Sequence, residues 1–218
     1  MAHEFVGKWI SDAEMAPLEA RNVFFRQLER EELDCSQHRN RHILFRKRFT
    51  IENDFDEAKI YISADDYYKL YINGQYVAQG VAQGYHFCYY WNEIDITAFL
   101  REGENEIFVD VYYQGLINRV YNSADRRMGL VAEIYNNGAC ILATDSSWQY
   151  TLSGAYTISH IIGYDTAFAE NFDSRWAASS WQNVCEKAVD YTFSDECVKT
   201  LQVYSINPVV TEKLENGA

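Results

Sequence analysis

The sequence predicts an all-β fold, an antiparallel β-sandwich of the jelly-roll type, on three observations. Aromatic residues make up 16% of the 218 residues and only two prolines occur, a composition that suits strands packed between sheets. Alternating apolar and polar segments recur roughly every ten residues, and Gly and Asn turns separate them. The clearest segment, residues 58–83, predicts a hairpin that turns at Asn73 and Gly74, because both residues tolerate positive φ.

The elements around this hairpin follow in chain order. Residues 5–10 (FVGKWI) predict a first strand, and residues 12–34 predict a helical turn or an irregular crossing segment. Strand character returns at residues 42–51. Thr97 then predicts a single helical turn, and residues 107–113 (IFVDVYY) predict the next strand.

The second half of the chain is predicted to hold another hairpin and a long loop. Asn136, Asn137 and Gly138 turn one strand into the next. Residues 164–181 break the alternation and are rich in Asp, Asn and aromatic residues, so we predict a loop there. The remaining predicted strands are residues 128–135, 140–144, 146–152, 188–193 and 198–205.

We predict one sandwich with two short appendages. Residues 1–41 form an N-terminal strand and an irregular crossing segment that pack on the sandwich. Residues 42–207 form the sandwich module, a length that suffices for one sizeable core. Residues 208–218 form a tail or the start of a linker to a further domain.

Composition and charge exclude several classes of partner. The chain carries 19 Lys and Arg against 32 Asp and Glu, a net charge of −13 that repels a phosphate backbone and an anionic lipid surface. We therefore predict neither a nucleic acid nor a membrane partner. No apolar run approaches the ~20 residues that cross a bilayer, and the first residues lack the features of a secretory signal, so we expect a cytoplasmic protein.

The sequence shows none of the common catalytic or metal-binding signatures. There is no Gly-rich phosphate loop, no GxSxG and no HExxH. Asp65 and Asp66 are adjacent just before a strand, which favours a turn or an edge over a paired carboxylate site. The cysteines lack CxxC spacing and are expected to be free thiols; they are Cys35, Cys88, Cys140, Cys185 and Cys197.

Four segments carry a family resemblance. They are FRKRFTI (45–51), ISADDYYKLYINGQYVAQG (62–80), DITAFLREGENEIFVDVYYQGLINR (95–119) and GYDTAFAENFDSRW (163–176). Together they resemble the N-terminal β-sandwich module of bacterial α-L-rhamnosidases, a galactose-binding-like jelly roll, over residues 8–181. In that family a separate downstream (α/α) barrel performs hydrolysis. The resemblance therefore implies a non-catalytic accessory module that packs on the downstream domains of the same polypeptide and requires no cofactor.

Two stretches combine aromatic rings with groups that bond hydroxyls, as sugar sites do. The carbohydrate-binding candidates are Tyr112, Tyr113, Asn118, Arg119 and Asn122 in the first stretch, and Glu170, Arg175 and Trp176 in the second. The alternative is that these rings pack the sandwich and the polar groups cap its loops. Rhamnosylated glycan is the ligand that the resemblance implies.

The resemblance also raises a calcium hypothesis. Related rhamnose-binding modules hold calcium at an Asp-Asn pair, and the position that we take as equivalent reads Asp173-Ser174 here. Serine in place of an amide carbonyl weakens that ligand set. Two functional alternatives stay open at this stage, namely a purely structural β-sandwich without ligand and a small hydrolase.

Overall fold

Antiparallel strands form two six-stranded sheets in the computed structural model, which describes residues 3–22, 38–52, 56–116, 123–163, 167–206 and 209. The sheets pack face to face as a sandwich, so the predicted fold class is confirmed. The described residues also include one 3-10 turn, Thr97–Phe99, at the predicted position. Within these ranges no helix is long and apolar enough to span a membrane.

The first sheet has the order β14-β1-β8-β3-β6, with β9 also paired to β8. Its strands are β1 (Ile10–Ser11), β3 (Ala58–Asp65), β6 (Asn92–Asp95), β8 (Gly129–Asn136), β9 (Ala139–Ala143) and β14 (Cys185–Glu186). The second sheet has the order β13-β10-β2-β7-β4-β5. Its strands are β2 (Arg41–Ile51), β4 (Tyr67–Ile72), β5 (Gln75–Gly80), β7 (Gly103–Tyr113), β10 (Gln149–Leu152) and β13 (Gln182–Asn183). A separate two-stranded ribbon pairs β11 (Ile161–Ile162) with β12 (Ala167–Phe168).

The core lies between the inner faces of the two sheets. Alternate residues of β7 face it, with Ile107, Val109 and Val111 fully buried, because successive side chains on a strand point to opposite faces. Trp148 fills the same core beside β10. The other residues of β7, including Asp110 and Tyr112, point to the outer face of the second sheet.

The structure confirms the predicted turn at Asn73 and Gly74, but residues 58–83 also cross from one sheet to the other, which the sequence pattern did not predict. Asn73 and Gly74 have φ of 51° and 76°, the left-handed values of the predicted tight turn between β4 and β5. The segment holds three strands instead of two, because β3 belongs to the first sheet and β4 to the second. The chain crosses between the sheets at Asp65 and Asp66, which are both buried there.

The N-terminal segment contributes to the core. The predicted strand at residues 5–10 is shorter and later, since β1 covers Ile10–Ser11 and pairs with β8 and β14. Trp9, Ile10 and Met15 are buried in the main cluster. Most of the predicted crossing segment and of the predicted tail lies outside the described residues.

The predicted strands at residues 188–193 and 198–205 are wrong. Residues 187–206, the C-terminal strap, instead run as irregular chain along the sandwich. Single backbone hydrogen bonds attach the strap, among them Tyr89 N to Thr192 O (2.8 Å), Val198 N to Trp91 O (3.0 Å) and Leu201 N to Gln79 O (2.9 Å). The strap therefore reaches from the first sheet to the β5 edge of the second.

Candidate functional site

The outer face of the second sheet carries two neighbouring rows of polar and aromatic side chains. Strand register places His42, Tyr112 and Tyr67 side by side in the first row. The second row lies two residues further along each strand and places Asp110, Lys69 and Gln79 side by side. Each row comes from β7, β4 and a flanking strand. The hydrogen-bonded pairing of these strands therefore fixes the distances between the side chains of the two rows.

A roof segment, the described residues 155–163 and 167–172, covers these rows. The Tyr156 ring stacks on His42 with centroids 3.6 Å apart and the planes 6° from parallel. Within the roof, the Phe172 ring lies 4.9 Å from the Tyr156 ring. The sheet below and the roof above therefore enclose a pocket.

The pocket has a volume of about 370 Å³, which lies in the range of small-molecule sites. Its aromatic lining is Tyr67, Tyr112, Tyr156 and Phe168, and Tyr68 also borders it although the Tyr68 ring packs in the core. Its polar lining is Asn40, His42, Lys69, Gln79, Asp110, Glu170 and Asn171, and Gly80, Ala167 and Leu201 complete it. Flat rings thus face groups that donate and accept hydrogen bonds.

Charged groups of both signs meet in this pocket. His42 Nδ1 lies 2.9 Å from Asp110 Oδ1, and Lys69 Nζ donates to the Tyr156 hydroxyl at 3.4 Å. Burial lowers the pKa of Lys69, but Tyr156, Asp110 and Glu170 outweigh that effect and raise it overall. Lys69 is therefore an ammonium at neutral pH, held beside carboxylates that accept hydrogen bonds.

The structure brings two of the predicted site residues together and separates a third from them. Tyr112 and Glu170 both line the pocket, although they lie far apart in sequence. Tyr113 is only 1% exposed, and its hydroxyl accepts a hydrogen bond from Arg126 N at 2.8 Å. Its ring packs in the core because it follows Tyr112 on a strand and so points to the opposite face. Asn118, Arg119 and Asn122 lie outside the described residues.

The remaining candidates lie beyond the pocket lining. The Arg175 guanidinium donates to both carboxylate oxygens of Asp173, from Nε and Nη2 at 2.8 Å each. Trp176 packs against Gly154, where a Cβ would lie only 2.7 Å from the indole Nε1. These residues hold the loop after the roof segment in its local shape.

The carboxylate of Asp173, the residue of the calcium hypothesis, is engaged by Arg175 in this structure. Hydrogen bonds from the Arg175 guanidinium and backbone hold the pKa of Asp173 at about 2, and the guanidinium bonds to both carboxylate oxygens. Calcium requires several hard oxygen ligands. Across the part of the chain that the structure describes, no three His, Cys, Asp or Glu side chains are grouped to hold a metal ion.

Sequence reasoning missed His42, Lys69, Asp110 and Tyr156. A signal for one of them was available, because Asp110 precedes Tyr112 by two residues and must share its face of β7. His42 and Lys69 are placed by strand register, and Tyr156 by the fold of the roof. Neither strand register nor the position of the roof has a local sequence signature.

A second cluster of charged groups lies inside the sandwich, where Asp65 and Asp66 link β3 to β4. The pair lies in the connection before β4, as a turn role requires, and both carboxyl groups are buried. Asp66 Oδ2 accepts hydrogen bonds from Gln114 N and Ser123 Oγ, each at 2.7 Å. Burial raises the pKa of Asp66 to about 7. Burial and the Asp66 charge also raise the pKa of Asp65 well above its ordinary value.

Asp125 completes this buried cluster. Arg127 Nη1 donates to Asp125 at 2.9 Å, and the Arg127 Nε and Nη2 groups reach Asp190 of the C-terminal strap. Burial and the Asp65 charge raise the pKa of Asp125 to about 7 despite the opposing effect of Arg127. The cluster joins the sheet crossing to the strap, and none of these four residues lines the pocket, although Asp66 N donates to Tyr112 O at 2.9 Å.

Comparison with known proteins gives one family and a set of similar folds. The family model described as the alpha-L-rhamnosidase N-terminal domain matches residues 53–209. The GH78 family rhamnosidase of Bacillus sp. GL1 is similar with a TM-score of 0.67 and 22% identity, over 88% of this chain and 20% of that one. The α-L-rhamnosidase from Dictyoglumus thermophilum is similar with a TM-score of 0.63 and 20% identity, over 89% of this chain and 22% of that one.

A third similar structure, the α-L-rhamnosidase from Aspergillus terreus, gives a TM-score of 0.58 and 22% identity, over 84% of this chain and 21% of that one. No match is found among curated proteins. At these identities the structural likeness shows the sandwich fold alone. The chain spans about a fifth of the length of each of these rhamnosidases.

Proposed function

This chain belongs to the α-L-rhamnosidase N-terminal domain family, and we propose that it is a non-catalytic accessory module of an α-L-rhamnosidase-like glycoside hydrolase. We further propose that this module itself binds rhamnose-containing glycan. The observation that carries the binding proposal is the pocket under the roof segment. In it, the rings of Tyr67 and Tyr112 lie beside the charged groups of Lys69, Asp110 and Glu170.

This combination suits a deoxy sugar. A pyranose presents apolar C–H faces to flat rings, and its hydroxyls need hydrogen-bond partners once they leave water. Lys69 supplies donors, and Asp110 and Glu170 supply acceptors. The methyl group of L-rhamnose needs an apolar wall, for which Phe168 and Leu201 are placed.

Isothermal titration of the 218-residue chain with L-rhamnose tests the binding proposal. We expect saturable binding, and we expect Lys69→Met to weaken it by about tenfold or more, since that change leaves sugar hydroxyls without a charged donor. Lys59→Met is the matched control, because Lys59 lies on the first sheet and pairs with Glu57 and Glu93. A flat titration at millimolar sugar would favour a purely structural module without ligand.

That structural alternative has support in the late loop. Arg175 and Asp173 are engaged with each other, and Trp176 packs on Gly154, so these three predicted ligands already have structural roles. The pocket favours the binding proposal over this alternative, because its lining groups come from four strands and the roof without filling the space between them.

The accessory role includes packing on downstream domains of the same polypeptide, a proposal that the family membership supports. Its test is a pull-down of the rest of the full-length protein by this chain.

The competing idea, that the chain is itself a small hydrolase, draws on Asp110 and Glu170, two carboxylates that line one pocket. Turnover of nitrophenyl α-L-rhamnoside above background by the isolated chain would contradict the non-catalytic proposal.

A further inference from the structure

A third row of side chains continues the outer face of the second sheet beyond the pocket. Register places Phe108 of β7 beside Tyr71 of β4, and Tyr71 beside Tyr76 of β5. The Tyr71 ring lies 5.7 Å from Phe108 and 5.6 Å from Tyr76, in edge-to-face arrangements. We call these three residues the aromatic platform.

The platform has a wall on the side of β2. The Arg46 guanidinium lies 3.9 Å from the centroid of the Trp181 ring, and Trp181 meets Phe108 edge to face at 6.4 Å. Gln149 Oε1 accepts hydrogen bonds from Arg46 at 2.9 and 3.1 Å, which fixes the guanidinium. The wall is therefore rigid, and it borders the platform opposite Tyr76.

The platform is continuous with the pocket. Tyr71 follows the pocket residue Lys69 by two positions on β4, and Phe108 precedes Asp110 by two on β7, a step of roughly 7 Å along the strands. Lys69 is near enough to Tyr76 to oppose the rise in the pKa of Tyr76 that burial and Tyr71 cause. A chain of sugars that leaves the pocket along the strands would cross the platform next.

We infer that the aromatic platform is a second sugar subsite, so that the module recognises an oligosaccharide of at least two rings in place of a single rhamnose. This inference rests on the proposed function. The platform offers ring faces without a formal charge of its own, and hydrogen-bonding groups flank it, namely Lys69 and Gln79 on the pocket side and Arg46 at the wall. Such a surface fits the C–H face of a second pyranose.

The exposure of the platform supports a ligand surface over a packing role. Tyr76 is 39% exposed, and Tyr71 and Phe108 are half-buried although they stand on the middle strands of a sheet. Rings that served the core alone would be covered, as Tyr68 and Tyr113 are on the inner face. The area still open on these rings is what a second sugar would cover.

Titration of the 218-residue chain with L-rhamnose and with the rhamnosyl disaccharides rutinose and neohesperidose tests the inference. We expect at least one disaccharide to bind about tenfold more tightly than rhamnose, since the second ring buries further apolar area on the platform. Tyr76→Ala should abolish that gain and leave the affinity for rhamnose unchanged. Tyr85→Ala is the matched control, because Tyr85 is 40% exposed and lies outside both the pocket lining and the platform.

The outcomes separate this inference from the proposal on which it rests. Equal affinities for rhamnose and both disaccharides would overturn the second subsite and leave the pocket in place. A gain that survives Tyr76→Ala would also overturn it. Failure of all three sugars to bind would overturn the pocket proposal and the inference together.

Discussion

Three buried aspartates, Asp65, Asp66 and Asp125, make the stability of this protein depend on pH. Asp66 and Asp125 lose their protons near pH 3.8 in an unfolded chain, but keep them to about pH 7 in the folded protein. Between these values the folded state holds more protons, so the stabilisation is fully present below the ordinary pKa and is lost as the pH rises through about 7. We expect the Tm to fall by roughly 4 °C or more between about pH 5 and about pH 7.5.

Calorimetry of two variants isolates this effect. Asp66→Asn keeps an oxygen for Gln114 N and Ser123 Oγ but has no proton to lose, so it should reduce the fall in Tm over that interval. Asp95→Asn is the control. Hydrogen bonds from Thr97 lower the pKa of Asp95, so it is ionised throughout the interval and its removal should leave the slope unchanged. An unchanged slope in Asp66→Asn would contradict the assignment.

The pair of Asp173 and Arg175 gives a second prediction at the residue scale. Arg175→Ala should raise the pKa of Asp173 from about 2 towards its ordinary value, because the hydrogen bonds of the guanidinium hold the carboxylate ionised. NMR titration of the Asp173 carboxyl measures the shift, and Arg175→Lys should show an intermediate value.

In the wild type we expect no heat on calcium addition, since a cation would have to displace Arg175. Calcium binding by the wild type would support the calcium hypothesis.

At the scale of elements, the turn between β4 and β5 depends on glycine. Gly74 has φ of 76°, and a Cβ there would meet nothing within 4 Å, so Gly74→Ala adds backbone strain without a clash. We expect the free energy of unfolding to fall by about 1 kcal/mol in urea titrations. Gln75→Ala, an exposed neighbour at the start of β5, should be nearly neutral. Equal effects of the two changes would mean that the turn does not demand glycine.

The same elements show how much of the fold the sequence predicts. Both hairpin turns follow from the Asn-Gly pairs at residues 73–74 and 137–138, because positive φ is a local requirement. The sheet change at Asp65 and Asp66 has no such signal, since period-two alternation continues through β3 and β4 whichever sheet each joins. Local patterns therefore predict strands well, and sheet membership depends on distant partners.

The candidate site was less predictable than the fold for the same reason. Tyr112 and Glu170 were found from composition, but their neighbours Lys69 and His42 come from strands paired across long sequence separations. Tyr156 reaches His42 through the roof, which lies against the second sheet, so local sequence carries no sign of this contact. The site therefore depends on which distant strands pair and in which register, and local sequence patterns do not show this.

At the scale of the whole molecule, the C-terminal strap joins the two sheets and forms part of the pocket. Asn92 on the first sheet donates its side-chain amide to Val198 O at 2.7 Å, and accepts from the Tyr68 hydroxyl of the second sheet. Three residues further along, Leu201 lines the pocket and bonds to Gln79 O. The strap therefore couples the stability of the sandwich to the shape of the proposed site.

Truncation tests this coupling and the predicted boundary at residue 207. A chain that ends at residue 196 loses the bonds of Val198 and Leu201 and the pocket wall that Leu201 provides. With two or more hydrogen bonds lost, we expect its Tm to fall by roughly 4 to 8 °C and its binding of L-rhamnose to weaken. A chain that ends at residue 207 retains every one of these contacts and should match the full chain in both measurements. If the shorter chain kept its Tm and lost only the sugar, the strap would serve the pocket alone, and its proposed part in joining the sheets would be wrong.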